Sequence, residues 1–165
     1  MKRRTFTFGA AASLAVAGCS SSKFQPYRGP EVTSVVVNKG ARSLYLLHHD
    51  DVLEGFKVDL GFAPVGHKEF EGDGKTPEGT YLINRRNPNS DFHLSLGISY
   101  PNTMDVARAR AIGKSPGGDI FIHGQPLDFR PKGPDWTAGC IAVKDREIEQ
   151  IYAMVRVGTT ITLRA

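Results

Sequence analysis

The residues of this chain that could do chemistry are one cysteine and one histidine. Cys140 lies in the run Thr137-Ala138-Gly139-Cys140-Ile141, and His123 lies seventeen positions upstream, at the end of a short apolar run. A thiol needs a base or a cationic partner to ionise near neutral pH, and histidine suits that role. The pattern therefore predicts nucleophilic catalysis by Cys140, with His123 as its base.

The residues around the thiol fit this chemistry, but they do not require it. Gly139 lets a substrate backbone approach closely and leaves the neighbouring amides able to face an oxyanion. The other histidines lie in weaker contexts: His48, His49, His67 and His93. A buried, inert thiol beside a structural histidine is the stronger explanation when these residues are considered alone.

The N-terminus has the pattern of an export signal. Lys2-Arg3-Arg4 precede an apolar stretch that is too short to span a bilayer. Val16-Ala17-Gly18-Cys19 then resembles the lipobox of bacterial lipoproteins, in which the cysteine carries the lipid and becomes the new N-terminus. We expect a signal peptide over residues 1–19, with Cys19 lipidated. The alternative is a plain cleaved signal with a coincidental cysteine, and the paired arginines leave open export by the Sec or the twin-arginine route.

This leader predicts a periplasmic protein that a lipid anchors to a membrane of the bacterial envelope. Ser20 follows the lipidated cysteine, and this residue favours the outer over the inner membrane. Residues 20–30 are rich in Ser, Pro and Gly, which is typical of a flexible tether. Exported compartments oxidise or pair thiols, so an unpaired Cys140 there needs a chemical reason.

Composition limits the remaining possibilities. The 165 residues allow one domain, expected over 31–165, with a core of ordinary size. Of the net charge of +4, the leader supplies three charges, and no run of Lys and Arg is interleaved with aromatic residues. Nucleic acid is therefore not an expected partner. Frequent glycine and proline, at 18 and 10 residues, favour a fold rich in strands and loops. The oligomeric state cannot be read from the sequence.

Hydrophobic patterns predict the elements that must position the two residues. Most of them are strands, expected at Val32–Asn38, Ser43–His48, Val52–Leu60, Gly79–Ile83, Phe92–Leu96, Ile120–Ile122, Ile141–Val143 and Thr160–Leu163. Lys39-Gly40 should form a hairpin turn, and Ile120–Ile122 should be a buried central strand that delivers His123. Two helices are expected, one from Pro101 to about Ile112 and one from an Asp145 N-cap to Gly158.

Three elements in order resemble the L,D-transpeptidase catalytic domain, also called the YkuD domain. They are His123-Gly124, the run that ends at Cys140-Ile141, and an upstream element from Gly72 to Tyr81 that contains Thr76-Pro77. The resemblance spans Val32–Leu163. It implies a mainly β, compact, sandwich- or barrel-like domain of two packed mixed sheets with two small helices. Considered alone, the upstream element could be simply a tight turn that leads into a strand.

The resemblance also implies a mechanism. Cys140 would attack the carbonyl between an L-centre and a terminal D-residue of a peptidoglycan tetrapeptide stem. His123 would shuttle the proton while the Gly124 carbonyl orients its ring, and the amides of Gly139 and Cys140 would hold the oxyanion. An amine of a second stem would then resolve the thioester into a 3-3 crosslink. No metal and no organic cofactor is implied.

Two positions depart from the family pattern. Ala138 stands where many members have His, and Ala142 where many have Arg or Asn. Their substrate contacts are therefore in question. Thr137 and Trp136 are further candidates for substrate or oxyanion contacts, with packing an equal alternative for Trp136. Basic residues that could meet substrate carboxylates, or be plain surface charge, are Arg85, Arg86, His93 and Lys114. Alternative functions are an L,D-hydrolase on the same scaffold and a non-catalytic, wall-binding lipoprotein.

Overall fold

The computed structural model describes residues 22–129 and 131–165. The predicted signal peptide, with the lipidation site Cys19, lies outside the described residues. Within them, no helix has the length and apolar character that a membrane crossing requires.

Eight strands and two helices make up the described chain. The strands are β1 Ser34–Asn38, β2 Ser43–His48, β3 Asp51–Lys57, β4 Gly79–Ser90, β5 His93–Ile98, β6 Phe121–His123, β7 Ile141–Ala142 and β8 Thr160–Arg164. The helices are α1 Thr103–Ala111 and α2 Asp145–Met154. The prediction of a mainly β domain with two small helices is confirmed.

The strands follow one order, β3-β2-β1-β8-β4-β5-β6-β7. The first half of β4 pairs with β8 and its second half pairs with β5, so this long strand joins two mixed sheets. Each sheet has one parallel pair, β1 with β8 and β6 with β7. At the far end, Asp59 bridges Ala142 of β7 and Gly61 bridges Thr137. The chain that follows β3 thus connects the two ends of the order, which gives the domain its barrel-like form.

Several predicted boundaries shift for identifiable reasons. The strand expected to run to Leu60 ends at Lys57, because the next residues leave β2 and pair with β7. The strand expected to end at Ile83 continues to Ser90, through polar residues that hydrophobic alternation could not reveal. The turn after β1 spans four residues rather than two, and its Lys39 is buried, at 2% exposure.

Both helices differ slightly from their predicted bounds, since α1 begins at Thr103 rather than at Pro101 and α2 ends at Met154 rather than at Gly158. Asn102 caps α1: its side chain accepts hydrogen bonds from the backbone N–H groups of Met104 and Asp105, which Pro101 could not arrange. Lys144 occupies the N-cap position of α2, so Asp145 is the first helical residue and not the cap. The apolar face of α2 packs against β5 and β6, the strand that carries His123.

The core lies between the sheets and under α2. It contains alternating inward side chains such as Val35 and Val37 of β1, together with Ile122 and Ile141 of the pair β6–β7 at the end of the strand order. Full burial of such a side chain contributes about 1.5–3 kcal/mol. The two short strands that flank the catalytic candidates are therefore fixed by the core itself.

Part of the predicted tether has contacts with the domain. Lys23 donates hydrogen bonds to the carbonyls of Pro88 and His93, at 2.6 and 3.3 Å. The ring of Phe24 lies 6.3 Å from that of Tyr152 on α2.

Candidate active site

The parallel pair β6–β7 brings Cys140 and His123 to one cavity. Ile122 pairs with Ile141, so His123 ends β6 while Cys140 directly precedes β7. Both line a cavity of about 330 Å³ whose other walls are the turn between β4 and β5 and the residues Asp119 and Phe121. Cavities of about 560 and 430 Å³ lie beside α1 and α2, but neither contains the cysteine or this histidine. The chemistry therefore identifies the site, and size does not.

The thiol is half-buried and protonated in its resting state. Its Sγ donates to the Asp119 carbonyl oxygen at 3.4 Å. Burial raises the pKa of the Cys140 thiol, a hydrogen bond from the Phe121 backbone lowers it, and the nearby Asp119 charge raises it again. The net pKa lies above the ordinary value, so ionisation requires a base at the moment of reaction.

His123 is placed to be that base. Its ring is buried, and Nδ1 lies 2.7 Å from the Gly124 carbonyl oxygen. Since a carbonyl only accepts, Nδ1 carries the proton and Nε2 has the free lone pair. Burial lowers the pKa of His123, against a smaller raising effect of the Gly124 hydrogen bond, so the imidazole is neutral at pH 7.

The resting site holds a neutral thiol and a neutral imidazole that do not bond to each other. Among the described hydrogen bonds, the Cys140 thiol is bound to Asp119, and the His123 ring is bound to Gly124. Proton transfer to Nε2 requires the thiol to leave its Asp119 contact. Catalytic hydrogen bonds commonly tighten only when substrate is bound.

Thr137 shapes the turn that presents the thiol. Its hydroxyl donates to the Cys140 carbonyl at 2.8 Å and accepts from the Gly139 amide at 3.1 Å, and the residue is only 4% exposed. Thr137 is therefore placed to support the turn rather than to contact substrate. The Gly139 amide, which we expected to face the oxyanion, is already bound to Thr137. The Cys140 amide remains the candidate donor of the two.

Gly139 is required by the backbone. Its φ is +133°, and a Cβ at this position would lie 2.7 Å from the Lys75 carbonyl oxygen. Lys75 belongs to the upstream element that contains Thr76-Pro77, so this element packs directly against the cysteine turn. The fully buried Thr76 accepts a hydrogen bond from the Gly61 amide at 3.0 Å. The element is thus a support for the nucleophile, and not only a turn into β4.

Two buried lysines that sequence reasoning missed hold this support. Lys39 Nζ donates to the Thr76 carbonyl at 2.9 Å and pairs with Glu78 at 2.8 Å. Lys68 pairs with Asp73 at 2.8 Å, and both side chains are nearly inaccessible. Lysines in polar loop segments are usually exposed, and the sequence has no signal that would have shown these two to be buried.

An aromatic cluster encloses the histidine. The His123 ring centroid lies 4.4 Å from that of Phe92 and 5.7 Å from that of Trp136, which meets it edge-on. Phe129 in turn meets Trp136 at 5.9 Å. Trp136 therefore packs on the catalytic candidate, whereas Phe92, which the sequence presented only as the start of a strand, also lines the cavity.

Of the four basic candidates, only Arg85 reaches the cavity, through an ion pair with Asp119 at 2.5 Å. Arg86 donates to a backbone carbonyl and stacks on Tyr152 at 3.9 Å. His93 pairs with Glu149 on α2 at 2.8 Å. Lys114 Nζ lies 3.4 Å from the centroid of the Phe70 ring. None of these last three side chains lines the cavity.

The departures from the family pattern lie on opposite sides of the thiol. Ala138 is exposed. Ala142 is buried, and its backbone exchanges hydrogen bonds with Asp59. Neither side chain can supply a charge to a substrate. Within residues 22–129 and 131–165, no group of three metal-ligating side chains is present.

Comparison with known proteins gives consistent matches. A family model described as the L,D-transpeptidase catalytic domain matches residues 33–163. The Escherichia coli (strain K12) protein named "Putative L,D-transpeptidase YafK" is 29% identical over 106 residues, which are 63% of this chain and 37% of that protein.

Solved structures match the fold. The helical cell shape determining protein Pgp2 (K307A mutant) from Campylobacter jejuni has a TM-score of 0.63 and 28% identity, over 83% of this chain and 48% of that one. An L,D-transpeptidase from Mycobacterium smegmatis has a TM-score of 0.54 at 16% identity, over 81% and 59% of the two chains. This chain spans about a third of the curated relative and about half of the Pgp2 structure.

Proposed function

The chain belongs to the L,D-transpeptidase catalytic domain family, and from this premise we propose that it is a cysteine-dependent acyltransferase acting on peptidoglycan stem peptides. Cys140 is the nucleophile and His123 is its general base. The reaction transfers the acyl group of a tetrapeptide stem to an amine, which forms 3-3 crosslinks or attaches a protein. The observation that carries the proposal is the meeting of these two residues at one cavity, where His123 ends β6 and Cys140 directly precedes the parallel strand β7.

Acylation begins from the neutral pair. Nε2 of His123 takes the Sγ proton as sulfur attacks the scissile carbonyl carbon, and the Cys140 amide stabilises the oxyanion. The carbon–nitrogen bond then breaks, and the imidazolium gives its proton to the departing amine of the terminal D-residue. Nδ1 stays bound to the Gly124 carbonyl throughout, which holds the ring in one orientation.

In deacylation, the Cys140 thiolate is the leaving group and the acceptor amine is the nucleophile. An acceptor amine attacks the thioester and loses a proton to Nε2 of His123. The carbon–sulfur bond breaks, and the Cys140 thiolate recovers its proton from the imidazolium. Water in place of the amine would make the enzyme an L,D-hydrolase. The low pKa that burial gives the imidazole keeps it able to accept a proton at neutral pH.

The supporting residues determine how well the nucleophile is placed. The Thr137 hydroxyl and the close packing of Gly139 on Lys75 fix the turn before the sulfur. Errors of about 1 Å in such placement can cost a hundredfold in rate. The proposal therefore assigns a positioning role to Thr137 and to the Thr76 element.

Product analysis tests the reaction. Purified domain, incubated with disaccharide-tetrapeptide, should yield a crosslinked dimer and a free terminal D-residue, detected by mass spectrometry. The Cys140→Ala protein should yield neither. Tripeptide without dimer would show that the domain is a hydrolase. Intact substrate after incubation with a folded domain would contradict both the transpeptidase and the hydrolase function, and it would favour a wall-binding role.

We also propose that the protein works in the periplasm, anchored by lipid on Cys19, with the outer membrane favoured. The support is the lipobox-like run and Ser20, which is not a typical inner-membrane retention residue. Cell fractionation should find the wild-type protein in the membrane fraction and the Cys19→Ser protein outside it. Membrane recovery of the Cys19→Ser protein would contradict lipid anchoring at this residue.

A further inference from the structure

Arg85 extends from β4 to the edge of the catalytic cavity. It pairs in register with Gly97 of β5, where a Cβ would lie 2.5 Å from the arginine side chain. The absence of a side chain at Gly97 lets Arg85 cross β5. Its guanidinium lies 4.5 Å from the centroid of the Phe121 ring and ends 2.5 Å from the Asp119 carboxylate. Phe121 and Asp119 both line the cavity.

The ion pair at this edge can exchange partners. The side chains of Arg85 and Asp119 are 52% and 84% exposed. Exposed pairs of this kind contribute little to stability, so another carboxylate can replace Asp119 at small cost. Arginine binds carboxylates through two parallel hydrogen bonds, and stacking on Phe121 keeps the guanidinium in place.

The position of Asp119 indicates which substrate carboxylate would fit Arg85. Its carbonyl oxygen accepts from Cys140 Sγ while its carboxylate binds Arg85. In an aspartate, three bonds separate the carbonyl carbon from the carboxylate carbon. In a peptide, three bonds also separate a scissile carbonyl carbon from the carboxylate carbon of the last residue, a span of about 3 to 4 Å. The thiol and the guanidinium are thus spaced for a scissile bond that is followed by one residue with a free carboxylate.

We propose that Arg85 binds the C-terminal carboxylate of the donor stem and so determines that cleavage occurs one residue from a free end. Asp119 holds Arg85 before substrate binds and competes with the substrate for it. This assignment rests on the proposed function, because it takes the stem peptide as the ligand. It also supplies a charge that Ala142, uncharged and buried, cannot provide.

Binding to catalytically inert protein tests the assignment apart from turnover. Calorimetric titration of the Cys140→Ala protein would compare a synthetic tetrapeptide stem with its C-terminal amide and with a peptide amidated only at diaminopimelate. We expect the free acid to bind about tenfold more tightly than the C-terminal amide, a ratio equivalent to about 1.4 kcal/mol. Amidation at diaminopimelate should leave the affinity unchanged.

Three further substitutions in this background sharpen the test. Arg85→Gln keeps part of the aliphatic side chain but removes the guanidinium that lies over Phe121, and it should abolish the preference for the free acid. Asp119→Asn removes the competitor and should tighten binding of the acid about threefold, a change in the opposite direction. Arg110→Gln removes an exposed charge on α1, which does not line the cavity, and it should leave the affinities for the free acid and for the C-terminal amide unchanged.

The proposal would be overturned by equal binding of acid and amide, by no binding of the acid, or by a preference that survives in Arg85→Gln. A preference that follows the diaminopimelate carboxylate would overturn it as well. Acid preference in the inert protein, combined with no turnover by wild-type protein, would contradict the proposed function and uphold the assignment of Arg85.

Discussion

Replacing Thr137 by valine should damage the site without removing any catalytic group. Valine has nearly the same shape as threonine but has no hydroxyl. The substitution therefore deletes both hydrogen bonds of the turn, to the Cys140 carbonyl at 2.8 Å and from the Gly139 amide at 3.1 Å. Thr137 is 4% exposed, so water cannot readily replace the lost partner.

The size of the effect follows from these two contacts. A buried polar group left unpaired costs about 1–3 kcal/mol, so two such groups predict a loss of about 2–6 kcal/mol in the free energy of unfolding. The thiol also loses its fixed position, and we expect kcat/KM for the tetrapeptide to fall by about a hundredfold. Thr137→Ser keeps the hydroxyl, and its free energy of unfolding should fall by about 1 kcal/mol, as expected for the loss of one buried methyl group.

Urea unfolding and product analysis by mass spectrometry measure the two effects on the same preparations. The Ser variant is the matched control, since it keeps the hydrogen bonds and changes the packing. Equal free energies of unfolding and equal turnover rates for the Val and Ser variants would contradict a role of the Thr137 hydroxyl in the turn. Thr137 would then be a packing residue only.

Three other perturbations test separate parts of the site. Gly139→Ala should lower the free energy of unfolding by more than about 3 kcal/mol, because the clash of its methyl group with a backbone oxygen adds to the strain at φ +133°. The matched control Gly72→Ala, at φ +84° with open space around it, should lower it by about 1 kcal/mol, and urea unfolding measures both. Since burial lowers the pKa of His123, the acid limb of kcat/KM should have its midpoint below pH 6.5, and a midpoint above 6.5 would contradict the neutral imidazole. Since burial raises the pKa of the Cys140 thiol, its alkylation by iodoacetamide should still accelerate above pH 9.0. Asp73→Asn leaves a buried lysine ammonium without its charge partner and should lower the free energy of unfolding by about 3–5 kcal/mol, whereas a change under 1 kcal/mol would show that water reaches the pair.

The fold class and most strands could be predicted because their signals are local. Runs of β-branched residues and strict alternation mark β1 and β8, and helical spacing of apolar residues marks α2. The family resemblance expected over Val32–Leu163 is confirmed by the match over 33–163. The polar second half of β4 carries no such signal, because pairing with β5 rather than burial keeps it extended.

The site was predictable only in part. Motif order predicted Cys140 as the nucleophile and His123 as the base, and the structure places both at one cavity. Contacts that depend on distant segments were not visible, such as the packing of Gly139 on the Lys75 carbonyl and the Arg85 side chain crossing β5. These depend on where loops meet in space, and sequence spacing does not determine that.

The most direct test of the account is to trap the acyl-enzyme. Wild-type domain mixed with tetrapeptide stem, quenched in acid within seconds and digested, should give a tripeptidyl thioester on the fragment that contains Cys140. His123→Gln should accumulate it far more slowly, and Cys140→Ala should show none. Product formed by the Cys140→Ala protein, or an acyl group on any other residue, would contradict the assignment of Cys140 as the nucleophile.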